Sequence, residues 1–198
     1  MDYTAKDVAK LREITGAGFA DCKAALESAK SLDDAVKLIE AKGQKRAEKV
    51  KNAERETRQG AIVSYIHHGG NLGALIELNC STDFVARNED FRTLARELAL
   101  QVAGSNPKYV AMSDIPEAVL AELRAKIAED PEVQKKPAKM RDQIVEGKLK
   151  KQLTAEVLME QPWVKDDSVT ISSLVDDLIR KTGENIVVRR FARFALGE

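Results

Sequence analysis

The chain has 198 residues, and its 32 basic and 32 acidic side chains give a formal net charge of zero. This balance creates no overall field to steer the protein toward nucleic acid or an anionic membrane. Aromatic residues form only 5% of the sequence, which disfavours a base-stacking RNA surface, and the sequence contains no apolar run of the roughly 18 residues that a transmembrane helix needs.

Three apolar stripes with three- and four-residue spacing predict three short helices near the N-terminus. Gly16 and Gly18 separate the first helix from the second. Ser31 and Asp33 or Asp34 are expected to cap the third helix, and Gly43 is expected to end it. The stripes are Ala5, Val8, Leu11 and Ile14; Phe19, Cys22, Ala25 and Leu26; and Ala35, Val36, Leu38 and Ile39.

A highly charged segment follows, from Lys42 to Arg58, with few large apolar residues. It predicts a helical extension that leads into a linker. A basic tract can contact RNA, but the glutamates interspersed here favour a solvated linker. We expect a domain boundary within this segment, which divides the chain into residues 1–54 and 55–198.

Two strand-like runs, Ala61–Ile66 and Leu72–Cys80, flank a glycine-rich segment and predict a β-hairpin. The second run alternates between apolar and polar residues, which is typical of a half-buried strand. An amphipathic helix is predicted downstream, because its apolar residues recur at helical spacing. These residues are Phe91, Leu94, Ala95, Leu98, Ala99 and Val102.

The remaining sequence is mostly helical until a final strand. Helical patterns run from about Pro116 to Ala128 and from about Pro131 to Leu158, and a last helix contains Leu174 to Ile179. Residues Ile186 to Phe194 have strand character. Strands at both ends of a helical region predict an α+β fold, in which three N-terminal helices precede a small antiparallel sheet packed with helices.

The sequence lacks a recognisable constellation for catalysis or metal binding. His67 and His68 are its only histidines, and adjacent residues on a strand point to opposite faces, which disfavours a shared metal. The glycine-rich segments have no Gly-Lys-Ser/Thr phosphate cradle. We therefore expect no cofactor, no metal, no directly bound nucleotide and no covalent chemistry.

The N-terminus and the cysteines indicate the compartment. The first residues do not form a basic flank followed by an apolar stretch, so no secretory signal is expected. Cys22 and Cys80 fall in different predicted domains, and in a chain without an export signal we expect reduced thiols. A cytoplasmic protein is predicted, with no membrane partner.

The junction between the second strand and the following helix, residues 82–88, allows two interpretations. In the first, Thr82 or Asp83 caps a helix that starts at Phe84, and the phenylalanine clamps the helix to the core; alternatively, Asn88 is the cap, and Glu89 and Asp90 lie in the favourable acidic first turn. In the second, Phe84 is a rigid apolar probe beside a charged neighbour. Residue types alone favour the structural interpretation, because most phenylalanines lie in cores.

Three blocks of residues form an ordered set that covers nearly the whole chain. They are Leu11–Leu26, which contains Thr15-Gly16-Ala17-Gly18; Cys80–Asn88; and Gly183–Phe191. This ordered set resembles the elongation factor Ts family, whose members are the nucleotide-exchange partners of the elongation GTPase EF-Tu. Any one block could arise by chance, but all three in the family's order form a strong signal.

The resemblance implies a translation elongation factor that binds EF-Tu·GDP and promotes GDP release so that GTP can bind. It assigns Thr82, Asp83, Phe84 and Val85 to a segment that enters the GTP-binding domain of EF-Tu and disturbs its magnesium site. Phe84 would be the wedge between partner side chains, and Asp83 a polar anchor beside it.

The resemblance also implies a ubiquitin-associated-like (UBA-like) module at the N-terminus. Leu11, Arg12, Phe19 and Ala20 would dock this module on a partner helix away from the nucleotide. Relatives often carry methionines at the positions of Phe19 and Ala20, so this contact departs from the family pattern.

Two further expectations concern partners. Longer family members carry a second core half, so a noncovalent homodimer could supply the half that this chain lacks. The alternative function is a UBA-like adaptor that binds nascent chains or RNA, for which the Lys42–Arg58 segment is the best support. Zero net charge disfavours direct RNA binding.

Overall fold

The computed structural model describes residues 3–52 and 57–198, and the side chains of these residues except 44 and 46–52. The chain forms two compact units. The first comprises the residues up to Gly60 together with Asn79–Asn88 and Val175–Val187; the second comprises Ala61–Leu78, Glu89–Leu174 and Val188–Glu198. The boundary expected after residue 54 lies outside the described residues, as does part of the expected linker.

Three N-terminal helices are present as predicted: α1 (Ala5–Thr15), α2 (Phe19–Ser28) and α3 (Leu32–Asn52). They pack around a small apolar core in which Leu11 and Leu26 are completely buried. Ser31 caps α3, because its hydroxyl accepts a hydrogen bond of 3.1 Å from the Asp34 N–H. Each predicted stripe contributes buried residues to this core: Val8 and Leu11; Cys22, Ala25 and Leu26; and Ala35.

The expectation that Gly43 ends the third helix is wrong, since α3 continues to Asn52. A Cβ atom at position 43 would lie 2.8 Å from Cδ of Arg180. Glycine is therefore used here for a close approach of another side chain, although it lowers helix stability by about 0.5–1 kcal/mol relative to alanine. Sequence pattern cannot separate this use of glycine from a helix terminus.

A three-stranded sheet has the order β1-β2-β5, so β2 is its central strand. The strands are β1 (Gln59–Ile66), β2 (Leu72–Cys80) and β5 (Ile186–Ala195). The predicted hairpin is confirmed, and its turn is closed by a 2.8 Å hydrogen bond from the His67 N–H to the Leu72 carbonyl. His67 and His68 lie in this turn rather than on a strand, so the alternation argument does not apply to them.

A short helix, α4 (Asp83–Arg87), follows β2 and leads into α5 (Glu89–Ser105). All six apolar residues predicted for the buried face of α5 are buried. The later helices are α6 (Glu117–Ala128), α7 (Pro131–Gln134), α8 (Ala138–Glu156) and α9 (Ile171–Thr182). The predicted α+β class is confirmed.

A second, two-stranded sheet was not predicted. It consists of β3 (Pro162–Trp163) and β4 (Asp166–Thr170), which pair antiparallel. The buried amide of Gln101 fixes it to α5, since Gln101 Oε1 accepts a 2.9 Å hydrogen bond from the Val164 N–H. Strands this short leave no clear alternation in the sequence. In the described part of the chain, no helix combines the length and apolar character needed to cross a membrane.

Candidate functional site

The segment Thr82–Asn88, here called the tip, presents a large aromatic side chain to solvent. Phe84 is 83% exposed, whereas its neighbours Val85 and Ala86 are 9% and 7% exposed. The interpretation in which Phe84 clamps the helix to the core is therefore wrong. Val85 and Ala86 provide the apolar anchor of α4, and Phe84 is directed away from it.

Thr82 caps the tip helix, which begins at Asp83 rather than at Phe84. Its backbone is extended, with φ −126° and ψ 156°, and its hydroxyl accepts a 3.4 Å hydrogen bond from the Val85 N–H. Asn88 ends this helix, and α5 begins at the next residue with Glu89 and Asp90 in its first turn, as the Asn88 alternative expected. The tip helix is only five residues long, and isolated helices of this length are not stable in water. Contacts beyond the helix must therefore hold it.

Glu184 makes the contact that fixes Thr82. Its Oε2 accepts a 3.0 Å hydrogen bond from the Thr82 N–H, and its Oε1 accepts one of 2.7 Å from the Thr82 hydroxyl. Sequence reasoning did not select Glu184 as a site residue. The available signal was its place in the Gly183–Phe191 block, but nothing local indicated a partner 102 residues away.

An ion pair lies on the exposed side of the tip. Asp83 Oδ2 is 3.0 Å from a guanidinium nitrogen of Arg87, one helical turn later, and both side chains are substantially exposed. Such exposed pairs contribute about 0.3–0.5 kcal/mol to stability. The Asp83 carboxylate can therefore exchange its internal partner for an external one at little cost.

Cys80 forms the interior base of the tip. Its thiol is buried and donates to the Thr82 carbonyl at 3.1 Å. Burial, reinforced by the nearby charge of Glu184, raises the pKa of the Cys80 thiol to about 11. The thiol is therefore protonated at neutral pH, which makes it a poor nucleophile.

The N-terminal residues singled out from the sequence divide into one buried residue and three exposed ones. Leu11 is completely buried in the core of the three helices, so it can only support a docking surface from beneath. Arg12 and Ala20 are exposed, and Phe19 is 60% exposed. Ile14, which the stripe placed in the core, is also largely exposed. Phe19 and Ile14 belong to the predicted apolar stripes, but the structure exposes both side chains at the surface of the N-terminal helices.

The sheet carries a second exposed apolar surface in the other compact unit, here called the outer sheet face. Leu75 alternates with the buried Ala74 and Ile76 and is partly exposed. Arg193 reaches the Ala103 carbonyl of α5, which directs the adjacent Phe194 to the opposite side of the strand. The outer sheet face comprises Ile62, Ile66, Leu75 and Phe194.

Comparison with known proteins gives a consistent result. The profile of the family described as Elongation factor TS matches residues 4–198. A protein of Coprothermobacter proteolyticus named Elongation factor Ts is 49% identical over the full length of both chains. Its namesake in Thermotoga neapolitana is 44% identical over 100% of this chain and 99% of its own. The namesake in Rippkaea orientalis is 44% identical, and the match covers 100% of this chain and 79% of that protein.

Proposed function

This chain belongs to the elongation factor Ts family of translation elongation factors, and we propose that it promotes GDP release from the elongation GTPase EF-Tu. It acts by binding alone and makes or breaks no covalent bond. Family membership does not favour the alternative of an adaptor for nascent chains or RNA. A cytoplasmic location, beside the translation machinery, is part of the proposal.

The exposed Phe84 is the observation that carries the proposal. The Phe84 side chain is 83% exposed on a helix that contacts beyond it hold in place. Its apolar surface contributes favourable free energy only when a partner covers it. Full burial of such a side chain yields about 1.5–3 kcal/mol, and each factor of ten in affinity requires about 1.4 kcal/mol. Phe84 alone therefore accounts for about one or two decades of acceleration, and additional contacts must supply the rest.

Exchange follows from thermodynamic coupling between two ligands of EF-Tu. A factor that binds EF-Tu more tightly when GDP and magnesium are absent must weaken the binding of GDP and magnesium by the same ratio. Phe84 acts as the wedge near the magnesium and phosphate site, and Asp83 leaves Arg87 to engage polar groups of the partner. Thr82 and Val85 hold the wedge in position from behind.

A second contact is proposed for the N-terminal helices. Arg12, Phe19 and Ala20 are exposed and form a surface that docks on EF-Tu away from the nucleotide. Leu11 supports this surface from the core rather than touching the partner. In this proposal the three helices are a UBA-like module whose role is to add binding energy, while the tip disturbs the nucleotide site.

The outer sheet face supports a noncovalent homodimer. Exposed apolar residues in a contiguous sheet commonly mark an interaction surface, and a second copy would cover Ile62, Ile66 and Phe194 symmetrically. The two cysteines, Cys22 and Cys80, are both buried and free, so the pairing involves no disulfide. Sedimentation equilibrium should give a mass of two chains; a single-chain mass at concentrations well above those in cells would contradict the dimer.

The decisive experiment measures the release of fluorescently labelled GDP from EF-Tu. Addition of this protein should accelerate release, and the observed rate should rise with its concentration until the complex saturates. A release rate that does not change in stoichiometric excess of the protein would reject the proposed function. As a reference, a chelator that removes magnesium from EF-Tu gives the fastest GDP release that loss of the metal alone can cause.

A further inference from the structure

We propose that Glu184 is the positioning residue of the exchange site, because its carboxylate holds the tip in the conformation that inserts into the partner. This inference rests on the proposed function. It concerns a residue that lies outside the segment assigned to EF-Tu contact. Its evidence is the pair of hydrogen bonds to Thr82 and the rigid turn from which Glu184 projects.

The backbone of Glu184 is fixed by the turn that ends α9. Gly183 has a φ of 71°, a left-handed conformation that glycine adopts readily and other residues rarely do. Its N–H donates to the Ile179 carbonyl at 2.8 Å, and the Glu184 N–H approaches the Thr182 hydroxyl at 3.3 Å. Ile179 is buried, so the turn is attached to a packed part of α9.

The Glu184 carboxylate determines the direction of the hydrogen bonds at the cap. A threonine hydroxyl has one proton, and an ionised carboxylate can only accept. The hydroxyl proton of Thr82 is therefore committed to Glu184 Oε1, which leaves an oxygen lone pair for the Val85 N–H. The other carboxylate oxygen takes the Thr82 N–H. Both donors of Thr82 are thus satisfied by a single side chain.

This arrangement bears on exchange because it orders the tip before the partner arrives. Ordering a flexible segment during binding lowers affinity, and a segment that is already ordered avoids that loss. Phe84 and Asp83 are the first two residues of the helix that Thr82 caps. Without the Glu184 carboxylate, the Thr82 hydroxyl is no longer held in its capping orientation. Phe84 then has to be ordered while it inserts into the partner.

The first test is hydrogen exchange of the backbone amides in the isolated protein. In Glu184→Ala, which loses both hydrogen bonds to Thr82, the amides of Val85 and Ala86 should exchange at least about tenfold faster, since one hydrogen bond to a charged group is already worth that factor. The amides of α5 should be unaffected. Unchanged exchange in the tip would overturn the proposal, and this result does not depend on any activity toward EF-Tu.

The second test compares GDP release in single and double variants. Glu184→Ala should lower the second-order rate constant of release about tenfold. In the Phe84→Ala background the same substitution should slow release by a much smaller factor, because only Asp83 then remains to be positioned. A residue with only a general structural role would instead slow release by the same factor in both backgrounds. The positioning role would be overturned if Glu184→Ala released GDP at the wild-type rate. It would also be overturned if the substitution slowed release by the same factor with and without Phe84.

Two further variants keep the tests decisive. If Glu184→Ala fails to fold, Glu184→Gln replaces it: the shape is retained, but one acceptor oxygen becomes a donor, and both effects should be present at reduced size. Glu132→Ala is the matched control, because the Glu132 carboxylate also accepts a side-chain hydrogen bond, of 2.9 Å from Lys135, but lies on α7. Failure of the wild-type protein to accelerate release would reject the proposed function, whereas wild-type release rates in the Glu184 variants would reject only this inference.

Discussion

Phe84 and Phe91 occupy consecutive helices of the chain, yet one is 83% exposed and the other is completely buried. Phe91 belongs to a seventeen-residue helix whose apolar residues share one face, and that periodicity determines its burial. Phe84 belongs to a five-residue helix, which is too short for periodicity to define a face. The comparison shows that local pattern controls burial in α5, whereas a long-range carboxylate contact holds the tip.

The strongest test of this comparison is Phe91→Ala. Removing a fully buried phenylalanine leaves a cavity, and such substitutions lower the free energy of unfolding by about 3–5 kcal/mol. Urea denaturation monitored by circular dichroism should show this loss as a lower midpoint. A change below about 1 kcal/mol, in the range typical of surface positions, would contradict the burial of Phe91.

The opposite result is expected for Phe84→Ala. Since the side chain is exposed, the free energy of unfolding should change by no more than about 0.5 kcal/mol. GDP release from EF-Tu should nevertheless slow by about one to two decades, the value of one buried phenylalanine. Met140→Ala is the matched control, because Met140 is also a large exposed apolar residue and lies on α8; it should release GDP at the wild-type rate.

The two outcomes for Phe84→Ala have separate meanings. Full exchange activity in a folded Phe84→Ala protein would remove the wedge assignment but leave the family function intact. A large loss of stability would instead show that the side chain packs in the folded protein.

The smallest expected effect concerns pH and the base of the tip. The pKa of Cys80 is raised from 9.0 to about 11 in the folded protein. Below pH 9 both states keep the thiol proton; between pH 9 and about 11 the unfolded state loses it first. The unfolded state then binds fewer protons, so the free energy of unfolding decreases as pH rises through this window.

Comparison with Cys80→Ala isolates this contribution from that of other groups that titrate at high pH. The wild-type protein should lose stability more steeply than Cys80→Ala between pH 9 and 11, as measured by urea denaturation at each pH. If the free energy of unfolding fell equally steeply with pH in the two proteins, the Cys80 thiol would be hydrated in the folded protein. The folded wild-type protein should also react slowly with iodoacetamide at pH 8, because the thiolate is the reactive form.

Periodicity and local residue types determine much of the architecture. The buried face of β2, the apolar face of α5 and the three N-terminal helices each follow from side chains at fixed spacing, and all are present in the structure. The ordered sequence blocks also identify the family and direct attention to residues 82–85. These features are local, because each depends on residues within one or two turns of helix or one strand.

Tertiary structure alone decided the remaining features, since each depends on residues that are distant in sequence. Gly43 lies within α3, where its lack of a side chain leaves room for Arg180. Gln101 anchors the β3–β4 sheet through the Val164 N–H, 63 residues away along the chain. Phe84 projects into solvent because Val85 and Ala86 take the buried positions and Glu184 holds Thr82. A hydrogen bond between two distant segments leaves no spacing pattern in either, so only the folded chain reveals it.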